Sequence, residues 1–67
     1  MMTVIVNGEE RSIPPGTSVT GLLVSLDLHP RLIVVEHNRE ILDRSVFDAT
    51  EVRAGDTIEL VHFVGGG

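Results

Sequence analysis

The residues whose chemistry a folded core does not explain stand together at one end, as Gly65-Gly66-Gly67. A glycine run after an apolar stretch packs nothing. What it offers is reach and access. Three extended residues span ~10 Å, at ~3.3–3.6 Å each. With no Cβ, the backbone can enter a channel too narrow for a side chain. The carboxylate of Gly67, with a reference pKa of ~3.3–3.7, is ionised at neutral pH. It can attack the α-phosphate of an ATP held by another protein. Gly67 is therefore the candidate for covalent modification, and Gly65, Gly66 and Gly67 are the candidates to thread a partner's active site. Inside a chain the same run would read as a linker, and at an end it also suits a frayed terminus or a cloning scar.

Nothing else in the sequence competes with that end. His29, His37 and His62 lack a second ligand at metal-site spacing, and there is no cysteine, so they read as solvent-facing and no metal is assigned. Glu9-Glu10, and Glu36 with Glu40, read as solvated acidic surface, because a chain this small has little concavity in which to perturb a carboxyl. No GxxxxGK[ST] loop is present, so nucleotide must be supplied by another protein and no cofactor is bound. No catalytic residue is assigned, and the chain reads as a substrate of enzymes and not as an enzyme.

Composition narrows the partners. The net charge is −5, with ten acids against five basic residues, all arginine. That balance argues against nucleic acid, which needs a basic stripe, and favours a protein with a basic docking surface. No lysine is present, so an activated end could not couple to a lysine of another copy. The longest apolar stretch is a fraction of the ~20 residues a bilayer span needs. No basic-then-apolar leader opens the chain. The sequence thus predicts a cytoplasmic protein, a monomer when free, with no membrane contact.

The elements that must position the end follow from local pattern. Thr3 to Val6 is rich in β-branched residues, and Asn7-Gly8 is a tight-turn pair that leads into a second strand through Ile13. Pro14-Pro15-Gly16 ends that hairpin. Val19, Leu22, Leu23 and Leu26 then mark one helical stripe, with Ser18 as N-cap and His29-Pro30 closing the segment. Leu32 to Val35 and Ile41-Leu42 predict a second hairpin, Ser45 to Ala49 a single helical turn, and Thr57 to Val64 the last strand. The Asn38-Arg39 pair puts arginine where a tight turn needs positive φ, so this turn is expected to be wider or bulged.

The order ββαβββ is that of an α+β, β-grasp (ubiquitin-like) fold, a mixed four- to five-stranded sheet wrapped around one helix. Its first and last strands run parallel in the middle of the sheet. The predicted division is 1–64 for the β-grasp domain and 65–67 for a flexible C-terminal tail. Along the last strand, Ile58 and Leu60 share one face, while Val61 and Phe63 share the other. If the first pair faces the helix, Val61 and Phe63 lie on the outer face, open to docking unless a bulge or loop covers them.

With these segments in view, the chain resembles the ThiS family of sulfur carriers in thiamine biosynthesis. The resemblance runs through Val4-Ile5-Val6-Asn7-Gly8, Pro15-Gly16-Thr17-Ser18-Val19, Val34 to Leu42, and Gly55-Asp56-Thr57-Ile58-Glu59-Leu60 into the terminal glycines. It implies that an E1-like ThiF adenylyltransferase activates Gly67 with ATP. The adenylate becomes a thiocarboxylate; the sulfur donor stays open, with cysteine through a cysteine desulfurase as one route. The thiocarboxylate then donates sulfur to the thiazole synthase ThiG. It also implies that Val61, Phe63 and Val64 dock the partners. Two alternatives stay open: a MoaD-like carrier for molybdopterin synthase, and a ubiquitin-like binding or modifier module without sulfur chemistry.

Overall fold

The computed structural model describes residues 1–62. Strands β1 (Met2–Val6) and β2 (Glu9–Ile13) form an antiparallel hairpin. Helix α1 (Val19–Ser25) follows, then β3 (Ile33–His37), β4 (Glu40–Leu42) and β5 (Thr57–His62). The five strands make one sheet in the order β2-β1-β5-β3-β4, so the last strand is central. It runs parallel to β1 and antiparallel to β3. This is the expected order and sheet, and among the described residues the strand limits differ from the sequence reading by a residue or two; the expected end of the last strand, Val64, lies outside them.

Each local signal has a visible physical cause. Asn7 and Gly8 both take positive φ, 50° and 82°, as a two-residue hairpin turn demands. Ser18 caps α1, its Oγ accepting from the Gly21 N–H at 3.0 Å. The helix ends when Asp27 turns to φ 61°. The Leu28 N–H then returns to the Leu23 carbonyl and the Asp27 N–H to the Val24 carbonyl, closing a Schellman motif. Pro30–Leu32 makes a single 3₁₀ turn before β3.

One face of the sheet packs on α1. Val4, Val6, Ile13, Ile33, Val35 and Ile58 from the strands meet Val19, Leu22 and Leu23 from the helix, all buried. Phe47 and Val52 complete this core from the long connection between β4 and β5. That connection starts with a 3₁₀ turn at Arg44–Val46, close to the helical turn expected there. Backbone bonds sew it to the start of α1: Val19 N–H to the Thr50 carbonyl at 2.9 Å, and Val52 N–H to the Thr17 carbonyl at 2.8 Å.

The β3–β4 turn departs from expectation. Asn38 and Arg39 form a two-residue turn with φ 50° and 71°, as tight as Asn7-Gly8, and not a wider or bulged one. Long-range hydrogen bonds explain it. The Asn38 N–H donates to the Thr57 carbonyl at 2.8 Å, and the Thr57 N–H returns to Asn38 Oδ1 at 2.9 Å. These bonds and the hairpin register hold a backbone that Arg39 alone would avoid.

Candidate functional site

β5 ends at His62, the last of the described residues, so the candidate site is built from whatever holds that strand. On one side β3 pairs with it from His37↔Ile58 to Ile33↔His62. On the other side β1 pairs only through Ile5↔Thr57 and Val6↔Ile58 before it turns away at Asn7. The Asn7 side chain then takes the place of the missing strand. Its Oδ1 accepts from the Leu60 N–H at 2.7 Å, and its Nδ2 donates to the Leu60 carbonyl at 3.3 Å. A side-chain amide thus continues the backbone ladder by one residue, and β5 stays paired on both sides as far as Leu60.

Paired residues share a face of a sheet, so the register also defines the surface beside that end. Ile58 and Leu60 turn inward, with Ile58 fully buried and Leu60 packed against the core. Glu59 and Val61 turn outward, and Val61 is 60% exposed opposite the half-buried Val34. Among the described residues no bulge or loop covers Val61. Phe63 and Val64, also expected to dock partners, and Gly65, Gly66 and Gly67, expected to thread a partner's site with Gly67 modified, lie outside the described residues. Sequence reasoning missed Val34, Ile41 and Ile5. They bring further apolar surface to the same outer face, and Ile41 is 75% exposed. The signal that would have found them is strand register, which period-two patterning alone does not supply.

The histidines correct one expectation. His29 and His62 are exposed, but His37 is not a solvent-facing side chain. Its Nε2 lies 2.8 Å from Asp56 Oδ2, and the two side chains are 19% and 13% exposed. Asp56 also accepts from the Arg53 N–H at 2.8 Å and from Asn38 Nδ2 at 3.2 Å. Burial presses this carboxyl towards its neutral form. The hydrogen bonds from His37, Arg53 and Asn38, with the charge of His37, outweigh that and hold its pKa below the ordinary 3.8.

A histidine–aspartate pair invites an acid–base reading, and distance decides against it. Asp56 precedes β5 and His62 ends it, six residues later, or about 20 Å at the rise of a strand. The pair fastens the β3–β4 turn to the start of β5, at the opposite end from the site. Among the described residues no three His, Cys, Asp or Glu side chains converge on a point. Also among them, no helix is long and apolar enough to cross a membrane.

Comparison with known proteins agrees with this geometry. The family model for ThiS matches residues 4–67. The chain belongs to the ThiS family. Its fold matches the crystal structure of the thiamine biosynthesis protein ThiS from Geobacter metallireducens, with a TM-score of 0.86 and 39% identity, covering 98% of this chain and 100% of that one. The sulfur carrier protein ThiS of Bacillus subtilis is 40% identical over 50 residues, or 75% of this chain and 76% of that protein. A thiazole synthase of Magnetococcus marinus is 38% identical over 66 residues. That match takes in 98% of this chain but only 20% of the synthase. A ThiS-like unit therefore occurs inside a protein five times its length.

Proposed function

We propose that the chain is a sulfur carrier for thiazole formation in thiamine biosynthesis, with the carboxylate of Gly67 as its working group. The observation that carries the reading is the double likeness, to a ThiS sulfur carrier and to part of a thiazole synthase. A carrier unit within the synthase polypeptide favours thiazole synthase as the acceptor over molybdopterin synthase. It equally favours sulfur transfer over a modifier role.

The chemistry asks little of the carrier itself. A carboxylate is a poor electrophile, so a ThiF-like enzyme first joins one of its oxygens to the α-phosphorus of ATP, and pyrophosphate leaves. The terminal sulfur of a persulfide, formed from cysteine by a desulfurase, then displaces AMP to give an acyl persulfide, and a thiol cleaves its S–S bond, leaving the thiocarboxylate and a disulfide. The thiocarboxylate gives a ThiG-like synthase a soft sulfur nucleophile. Gly65 and Gly66 pass through the enzymes' channels because they carry no Cβ. Val61, Phe63 and Val64 set the domain against each enzyme in turn. ATP belongs to the adenylating partner and not to this chain.

Intact mass tests the reading. With a ThiF-like enzyme, ATP and a sulfur source, the protein should gain about 16 Da, one oxygen exchanged for one sulfur. Deletion of Gly67 should abolish the gain and leave the circular dichroism spectrum unchanged. A wild-type protein that gains no mass beside a carrier known to be active with that enzyme would sink the proposal. Co-purification with the large subunit of molybdopterin synthase, instead of thiazole synthase, would move it to the other acceptor.

A further inference from the structure

We infer that the outer sheet face beside the end of β5 is a receptor for a cationic side chain, an arginine or lysine, carried by the thiazole synthase that takes up the chain's end. The inference rests on the carrier reading and adds to it a defined charge partner. It starts from the register. Glu36 of β3 and Glu59 of β5 stand directly opposite each other and point outward. Side chains so placed have Cβ atoms about 4.5–5.5 Å apart, and like charges there destabilise a sheet.

Nothing among the described residues relieves that repulsion. Neither glutamate has a side-chain hydrogen bond or an ion pair among the described residues, where the one ion pair is His37 with Asp56. The strand residues of this face include a third acid, Glu10 opposite Ile5, and no arginine. Arg11, the arginine within a strand, pairs with the inward-facing Val4. The surroundings sharpen the effect. Glu36 is half-buried, with Ile41 across from it on β4 and the Val34–Val61 pair one row nearer the chain end.

A guanidinium or ammonium set between the two carboxylates would turn the repulsion into two charge-assisted hydrogen bonds. The apolar residues on two sides would exclude water from them and strengthen them. Position supplies the last link. Glu59 stands eight residues before Gly67, so an enzyme that encloses the glycines lies against this face. The five arginines of a second copy do not form a matching row, since none lies on an outward strand position.

The test compares Glu36→Gln/Glu59→Gln with a control, Glu9→Gln/Glu51→Gln, which removes two charges from exposed positions off this face. Urea midpoints are measured for each, together with affinity for the thiazole synthase of the same organism. The pair variant should unfold at higher urea than wild type yet bind the synthase about tenfold more weakly. The control should stay within about twofold of wild type. Stability and binding moving in opposite directions is the signature. Unchanged affinity in the pair variant, or an equal loss in the control, would overturn the inference. Loss of self-association in the pair variant would do the same by assigning the face to a second copy. The mass gain of about 16 Da, measured on the same wild-type sample, separates this from failure of the carrier reading itself.

Discussion

Asp56 joins two stretches of the chain that the sequence keeps 18 or 19 residues apart. Its carboxylate can only accept, so the shared proton of the 2.8 Å contact belongs to His37 Nε2. The same carboxylate closes the Arg53–Asp56 turn from within and steadies Asn38 across the turn between β3 and β4. Because its folded pKa is lowered, the stability it contributes is fully present above the unfolded value near 3.8. That stability is lost as pH falls through the lower folded value. Asp56→Asn keeps the shape but replaces an acceptor with a donor. It should cost about 1–3 kcal/mol at pH 7. It should also flatten the fall in urea midpoint below about pH 4 relative to wild type. Parallel pH slopes for the two proteins would show that Asp56 is a bystander.

Two hairpins at opposite sides of the sheet use the same device. Each opens its turn with an asparagine at φ 50°, and each asparagine sends its side-chain amide to the backbone of β5, Asn7 to Leu60 and Asn38 to Thr57. The device was half legible in the sequence. Asn7-Gly8 reads as a tight turn because glycine is at ease where the turn needs it. Asn38-Arg39 does not, because the bonds that hold it come from residues about twenty positions away. Arg39 therefore sits at φ 71° under protest, and the remedy is direct. Arg39→Gly should stabilise the fold by about 0.5–1 kcal/mol, read as a higher thermal midpoint, by removing the penalty of a left-handed side-chain-bearing residue. A lower midpoint would mean that the Arg39 side chain holds something in place. Phe47 and Val52 escaped sequence reading for a related reason. They lie in a long connection with no period to mark them, and backbone bonds to Thr17, Val19 and Thr20 hold that connection against the start of α1.

Across the whole molecule, order and direction of the elements were readable because they rest on local signals: turn pairs, a capped helical stripe and β-branched runs. The surface was not. Whether Glu36 faces Glu59, or Val34 faces Val61, depends on register, and a slip of one residue would send each to the other face. The acidic composition raised the expectation of a partner with a basic docking surface, and only the sheet register suggests a face on which to propose it.

The arrangement of β1 and β5 carries a mechanical consequence. These parallel neighbours put the start of the chain and the end of β5 at opposite poles of the sheet. A pull between residues 2 and 62 slides one strand along the other and loads their hydrogen bonds together, the Asn7 clamp on Leu60 among them. A pull between residues 33 and 42 opens the β3–β4 hairpin one pair at a time. Single-molecule stretching should record a clearly larger rupture force in the first geometry, and Asn7→Gly should lower it while keeping the turn. Equal forces in the two geometries would refute the picture. An enzyme that draws on the end of β5 thus tugs along the axis on which this small domain yields last.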